Sequence, residues 1–450
     1  MEKRGNFSGK LGFVLAAAGS AVGLGNIWRF PYLVAKYGGG MFILIYLILV
    51  VSFGFTLMIT EFAIGRKTGR SPIGAFRMLN KKFTFLGVLS VLVPFFIGPY
   101  YSVVGGWIVK YCAIFITGAG HAAAGDGFFN GYIAKSVEPV IWQAIFIIAT
   151  AVILIGGVKG GIEKASKILM PLLVLLSIFI AGYTMFLPGA MEGLKYLFVP
   201  HLKDFSIETV LAAMGQMFYS MSLAMGIMVT YGSYVKKSDD IEKSVSHIEV
   251  FDTAIAILAA MMIVPAVFVF SNGDPAALGQ GAGLLFDMLP KVFDSMPGGG
   301  FIGALFFVLV FFAAITSSVS ILEVIVSTVC DQFHWRRKPA TVVVALLCLV
   351  MGIPCSLGYG LWDSVSIIGY SILDFVDFVT NSIMLPIVAL LTCVLIGYVT
   401  GPQVVVDEVK LSSDFRREKL YRVMVRYIAP IFLAAILLTS ITNALGITSI

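Results

Sequence analysis

Charge is scarce in this chain. Asp, Glu, Lys and Arg make up 12% of its 450 residues, about half the fraction usual in a soluble domain. An ordinary water-soluble fold is therefore excluded, since too little polar surface exists to clothe a core of this size. Histidine is almost missing, with four residues, and the five cysteines lie scattered in apolar stretches at Cys112, Cys330, Cys348, Cys355 and Cys393. No pair of them has metal-ligand or redox spacing, so a zinc site is not expected and the cysteines read as packing residues. No nucleophile–base pair stands out either, which makes an enzyme the least supported class. The net charge of +6 reflects loops at one face of a membrane rather than a nucleic-acid partner.

What the chain does have is long apolar runs, with 59% of residues hydrophobic. A bilayer core of about 30 Å needs roughly 20 apolar residues per helical span. These runs are too long for the alternating ten-residue strands of a membrane barrel, so the expected class is an all-α polytopic membrane protein. Eleven spans are predicted, near 11–36, 41–65, 84–117, 139–157, 166–187, 207–234, 246–270, 301–331, 340–358, 364–399 and 427–448. A Gly/Pro/Asp-rich connection from Asn272 to Gly300 separates the seventh from the eighth and is long enough for short surface helices.

Lys3, Arg4 and Lys10, followed by apolar residues and Ala16-Ala17-Ala18, imitate a cleavable leader. Cleavage there would discard half of the first span, so the segment is read as a retained helix. With the N-terminus inside, the inner segments collect most of the 31 basic residues. They include Arg66 to Lys82 after span 2, Lys159 to Lys167 before span 5 and Arg336 to Lys338 before span 9. The positive-inside bias thus predicts a cytoplasmic N-terminus and an extracellular C-terminus.

Two spans look interrupted. Span 1 places three glycines, Gly19, Gly23 and Gly25, within seven residues at mid-bilayer, where they weaken a helix. Span 6 has a matching soft point at Tyr219-Ser-Met-Ser-Leu-Ala-Met-Gly226. Broken backbone at that depth is tolerated where it lines a cavity or is buried in protein, and paired interruptions in corresponding halves point to a transporter binding site. Close helix packing is the alternative use of such glycines. Asn26, Arg29, Glu61, Asp252, Glu323, Asp374 and Asp377 fall in or near apolar spans, and intramembrane polar groups are costly enough to be functional suspects.

At these residues the chain resembles the neurotransmitter:sodium symporter family, in its bacterial amino-acid transporter branch with the leucine-transporter type of fold. The matching stretches are Gly19-Ser-Ala-Val-Gly-Leu-Gly-Asn-Ile-Trp-Arg-Phe-Pro31, Gly38-Gly-Gly40, Glu61-Phe-Ala-Ile-Gly-Arg66, Gly215-Gln-Met-Phe-Tyr-Ser220, Ala313-Ala-Ile-Thr-Ser-Ser318 and Asp374-Phe-Val-Asp377. They run in family order along nearly the whole chain. The resemblance implies a single transport domain, residues 1–450. It would comprise two inverted five-helix repeats, about 8–187 and about 205–400, with discontinuous spans 1 and 6 and an additional span at about 427–448. It also implies a multi-pass protein of the plasma membrane, of the inner membrane in a bacterium, with no nucleic-acid partner and no organic cofactor.

Two sodium sites are implied by the same resemblance. The first would use the Ala21 carbonyl, the Asn26 amide oxygen, Ser220 and Asp252, together with a substrate carboxylate. The second would use carbonyls of Gly19, Val22 and Ala313 with the hydroxyls of Thr316 and Ser317. Hydroxyls in membrane helices also bond back to their own helix, which would be the plainer reading of Thr316 and Ser317 taken alone; within the matching stretch the ligand role is preferred. Tyr46, Gln216 and Ser220 match part of the set with which animal relatives bind chloride. Where many of those relatives carry a neutral Asn, this chain has Asp252, whose fixed charge implies chloride-independent transport.

The implied substrate pocket comprises Ser20, Ala21, Leu24, Gly25, Ile97, Tyr101, Tyr219, Ser220, Ser222, Met225, Ser317 and Ile321. Monoamine carriers of the family resemble one another in having an acid at the position of Ser20, so here the substrate must bring its own carboxylate. No charged side chain faces the remaining space, and a charged substrate side chain would stay unpaired. A neutral, mainly apolar L-amino acid fits. Arg29 and Asp377 match the family's outer gate, with Tyr219 as an aromatic lid. Arg4 and Asp331 match the inner latch, where Phe7 replaces a usual Trp. Gly161 and Pro171 either let span 5 unwind or mark a helix start with a tolerated Pro. A channel would instead show a ring-lined pore, and a sensor that does not transport would keep the site without the cycle.

Overall fold

A computed structural model describes residues 5–271 and 282–444, with side chains to residue 442. Nine helices among the described residues are long and apolar enough to cross a bilayer. A tenth span is the bent pair Lys10–Ala21 and Gly25–Lys36, which turns by 53° at its break. The predicted span 207–234 is two shorter helices, Ile207–Ser220 and Ile227–Gly232. Of the long connection, Leu284–Met288 and Leu289–Ser295 are short helices, though not on the surface as expected, since Leu284, Phe286, Leu289 and Val292 are buried; 272–281 lies outside the described residues.

The span 1 break follows from its sequence. Val22 ends the first helix with an extended backbone, φ −72° and ψ 101°. The chain resumes as a wide π-helical turn, Gly25–Arg29, that runs into Phe30–Lys36 with Pro31 in its first turn. Pro31 has no N–H to donate within this continuous helical stretch, which fits the wide turn just before it. In span 6 the upper helix starts at Ser206, whose hydroxyl accepts the Thr209 N–H at 3.0 Å. Its lower helix is reached through Ser222, Ala224 and Gly226, all left-handed at φ 53°, 62° and 70°. Glycine enters that region freely, whereas Ser and Ala pay for it in backbone strain.

Layering follows burial. The most apolar windows of spans 8 (Gly299–Phe333) and 2 (Gly40–Thr68) are 78% and 72% buried, those of spans 4 and 5 only 33%. Spans 2 and 8 therefore belong to the interior, and spans 4 (Glu138–Ile155) and 5 (Val158–Met185) turn residues such as Ile148, Val152, Leu175 and Ile178 outward to lipid. Span 5 begins as a π-helical turn, Val158–Glu163, and continues through Pro171 as helix. Gly161 is required there, since a Cβ would lie 1.9 Å from the Ile153 carbonyl oxygen. Spans 2 and 6 meet backbone to backbone. A Cβ on Gly65 would sit 2.0 Å from the Val229 carbonyl oxygen, and one on Gly232 would sit 2.5 Å from that of Phe62.

Candidate functional site

The two breaks face each other. One cavity of about 30 Å³ is lined by Ser20, Ala21, Leu24, Gly25, Ile97, Tyr101, Tyr219, Ser220, Ser222, Met225, Ser317 and Ile321, with Gly23 added. The twelve positions taken from the sequence are thus brought together. Gly23 was the omission, and its signal is spatial: a Cβ there would lie 2.7 Å from Ser317 Oγ. Among the described residues, no charged side chain lines this cavity. Ser222 Oγ donates to the Ser20 carbonyl at 2.9 Å, fastening one break to the other. The Ser20 and Tyr101 hydroxyls are buried with no hydrogen-bond partner. Unpaired buried hydroxyls are uncommon and costly, and these two mark places where a polar ligand can bond.

Asp252, fully buried on span 7, stands behind the cavity wall. Its carboxylate accepts from Asn26 Nδ2 at 2.8 Å, Ser220 Oγ at 2.7 Å and the Tyr46 hydroxyl at 3.0 Å. Three donors from three different spans thus converge on one buried carboxylate. Asn26 Oδ1 accepts the Gly23 N–H at 3.1 Å while its Nδ2 faces Ser220 and Asp252, so an ion held beside those two residues would meet the amide oxygen only if the amide turned over. Gln216 joins neither Asp252 nor Tyr46. Its Nε2 donates to the Gly25 carbonyl at 2.8 Å, and its Oε1 is buried without a partner.

The second predicted ligand group divides in two. Ser317 Oγ crosses to span 1, donating to the carbonyls of Ser20 at 3.2 Å and Val22 at 3.4 Å. Thr316 Oγ1 bonds back to its own helix, to Phe312 at 2.9 Å and Ala313 at 3.1 Å. Gly19 lies against Thr316, whose Cβ would be 3.3 Å from an added Cβ. Gly19, Val22, Ala313, Thr316 and Ser317 therefore share one contact between spans 1 and 8, where oxygen donors of the kind hard cations prefer are concentrated.

Further polar groups flank the cavity on both sides. Arg29 and Asp377 line a cavity of about 290 Å³ but form no ion pair. The Arg29 guanidinium lies over the Tyr219 ring, 5.3 Å from its centroid, and Asp377 accepts from Asn381 Nδ2 at 2.6 Å. On the basic face, Asp331 accepts the Ser71 N–H at 2.8 Å and lines a larger cavity of about 780 Å³. Arg4, its expected partner, lies outside the described residues. Phe7 is buried, with its ring centroid 5.7–6.1 Å from those of Phe13, Tyr231 and Tyr234. Glu323 is held by Arg337 at 2.5 Å and by the Tyr234 hydroxyl at 2.7 Å. Glu61 accepts the Ala224 N–H at 2.7 Å, which secures the left-handed stretch of span 6.

A bundle of apolar spans with two discontinuous helices meeting at a midplane cavity is the architecture of a secondary transporter. Comparison with known proteins gives its family. A model of the sodium:neurotransmitter symporter family matches residues 4–120 and 133–448. The sodium-dependent transporter YhdH of Bacillus subtilis is 34% identical over 455 residues, covering 100% of this chain and 99% of its own. A sodium-dependent transporter of Haemophilus influenzae is 32% identical, with 98% and 99% covered. Among solved structures, MhsT in complex with L-phenylalanine superposes with a TM-score of 0.88 at 40% identity, over 97% of this chain and 100% of that one. The chain belongs to the sodium:neurotransmitter symporter family, and it is a sodium-dependent secondary transporter of the membrane, not an enzyme.

Proposed function

We propose that the protein imports a neutral, mainly hydrophobic L-amino acid together with sodium, by alternating access and without chloride. The observation that carries this reading is the uncharged cavity at the two breaks, with two unpartnered hydroxyls and a buried carboxylate behind it. The substrate carboxylate would meet sodium, the Gly25 N–H and the Tyr101 hydroxyl, and its ammonium the exposed carbonyls of the breaks. Its side chain would lie among Ile97, Met225 and Ile321, where Met225 adapts to shape. MhsT, whose solved structure holds L-phenylalanine, supports that substrate class.

Sodium would bind at Ala21, Asn26, Ser220 and Asp252, and a second ion at Gly19, Val22, Ala313, Thr316 and Ser317. Asp252 supplies a fixed negative charge, so no halide is needed beside the first ion. Arg29 and Asp377 close the outer side over Tyr219. The basic face, with Asp331 and Arg4, is the cytoplasmic one. A tenfold gradient is worth about 1.4 kcal/mol per ion and 100 mV about 2.3 kcal/mol more. Two ions then supply about 7 kcal/mol, enough for roughly five decades of accumulation of a zwitterion. A thermal-shift screen of the standard amino acids, each in sodium and in potassium, identifies the substrate. Sodium-dependent counterflow in proteoliposomes then separates a carrier from a channel or a sensor. Counterflow absent with every amino acid that stabilises the protein would refute the reading.

A further inference from the structure

The connector between spans 10 and 11 is fastened to span 2, span 7 and the exit of span 6 by charged groups far from the central cavity. Arg66, in the last turn of span 2, is 3% exposed. Its Nε donates to Glu408 Oε1 at 2.9 Å, and its other nitrogens reach the Glu408 and Asp239 carbonyls and Ser412 Oγ. Glu408, on the connector helix Gln403–Lys410, is 2% exposed and also accepts from Lys237 Nζ at 2.8 and 3.1 Å. Nearby, Glu242, in the first turn of span 7 (Ile241–Phe270), accepts the N–H groups of Arg416 and Arg417 at 2.9 and 3.0 Å.

The two elements that Glu408 joins are both walls of the 780 Å³ cavity. Thr68, Gly69 and Arg70 continue span 2 directly beyond Arg66 and line it. Tyr234, three residues before Lys237, lines it from the exit of span 6. The glycine contact at Gly65 and Gly232 joins spans 2 and 6 one turn above, and Glu408 joins them below. A buried carboxylate is costly to disrupt here, because the Arg66 guanidinium left behind is desolvated without its partner, while the Lys237 ammonium, 57% exposed, ties Glu408 to the exit of span 6 from the solvent side.

We propose that Glu408 is a positioning residue for the transport cycle. Its carboxylate pins the cytoplasmic end of span 2 to the exit of span 6, and so sets how often the cytoplasmic cavity opens toward the central site. The connector is thereby a working part of the inner closure, although it touches neither substrate nor ion. This rests on the alternating-access reading but is tested separately from it.

Cys330 lines the same cavity and is a native reporter. The full-length protein in proteoliposomes is treated with a maleimide in sodium and in potassium, and modification at Cys330 is resolved from that at Cys112 by peptide mass spectrometry. Glu408→Gln, which keeps volume and one acceptor oxygen, raises the Cys330 rate in sodium about tenfold, a size typical of coupling between separate sites. Lys237→Gln, which leaves the Arg66 pair in place, raises it roughly threefold and serves if Glu408→Gln does not fold. Glu418→Gln is the control. It breaks the exposed connector pairs to Lys410 and Arg422 and leaves the rate at the parental value. A Cys330 rate unchanged in both Glu408→Gln and Lys237→Gln, even with a lowered melting temperature, overturns the proposal. So does an equal rise in Glu418→Gln. Labelling needs no transported solute, so a failed amino-acid screen would leave this result standing.

Discussion

Glu61→Ala should weaken substrate binding while leaving the bundle folded. In the structure Glu61 Oε1 accepts the Ala224 N–H at 2.7 Å, and Oε2 is buried without a partner. Ser222 and Ala224 on either side of Leu223 are held left-handed at φ 53° and 62°. Such conformations cost on the order of 1–3 kcal/mol each and persist only when neighbours enforce them. Removing the acceptor leaves a buried N–H unpaired, at about 1–3 kcal/mol, and frees the segment to relax away from the cavity. Because Ser222 and Met225 line that cavity, affinity should fall about 10- to 100-fold, equivalent to roughly 1.4–2.8 kcal/mol. Glu61→Gln retains the acceptor oxygen and should bind within about threefold of the parent. The assay is equilibrium binding of the amino acid found by the thermal-shift screen, in saturating sodium, with a melting curve for each variant. If Glu61→Gln is as impaired as Glu61→Ala, the oxygen's grip on the backbone is not what matters and the reasoning fails. Parental affinity in Glu61→Ala would refute it equally.

Tyr101→Phe removes a buried hydroxyl that makes no hydrogen bond of good geometry among the described residues, so the melting temperature without substrate should change little while affinity falls about tenfold. A matching loss of stability would show that the hydroxyl serves the fold instead. Gly65→Ala forces a Cβ to within 2.0 Å of the Val229 carbonyl oxygen and should cost about 3 kcal/mol, read as a lower melting temperature in detergent. An unshifted melt would mean that spans 2 and 6 separate easily. Replacing external chloride with gluconate should leave uptake within about twofold, whereas Asp252→Asn should reduce it at least about tenfold through lost charge pairing, roughly 1.4 kcal/mol. Uptake abolished by gluconate in the parent would overturn the role given to Asp252.

The apolar runs made the spans legible, because a bilayer permits few alternatives to a helix. The breaks were legible too, since Gly19, Gly23 and Gly25 lower helix stability where nothing else compensates. Partner choice was harder to read. Gln216 sits one turn from Ser220 and matches a chloride-site pattern, yet its amide turns to the Gly25 carbonyl, a contact set by how two broken helices meet. Thr316 and Ser317 are neighbours in sequence, but one turns back on its helix and the other crosses to span 1. The wide π-helical turns at Gly25–Arg29 and Val158–Glu163 left no mark in composition. Glu408 was invisible for a different reason. An acid among loop charges reads as solvated, and only the packing of the connector against Arg66 buries it.

The cavities of about 290 and 780 Å³ on opposite sides of the central site have an electrical consequence. Water conducts, so a membrane voltage drops little across wet vestibules and falls steeply over the dry stretch between them. Here the two cavities leave between them the layer around Tyr219, Tyr101 and the two breaks, so the field falls over less than the roughly 30 Å hydrocarbon core. A cation shifted by only a few residues through that layer samples nearly the whole potential difference. On the proposed sodium-coupled cycle the fold would focus the field, and a short displacement of an ion at the breaks would draw on most of the electrical driving force.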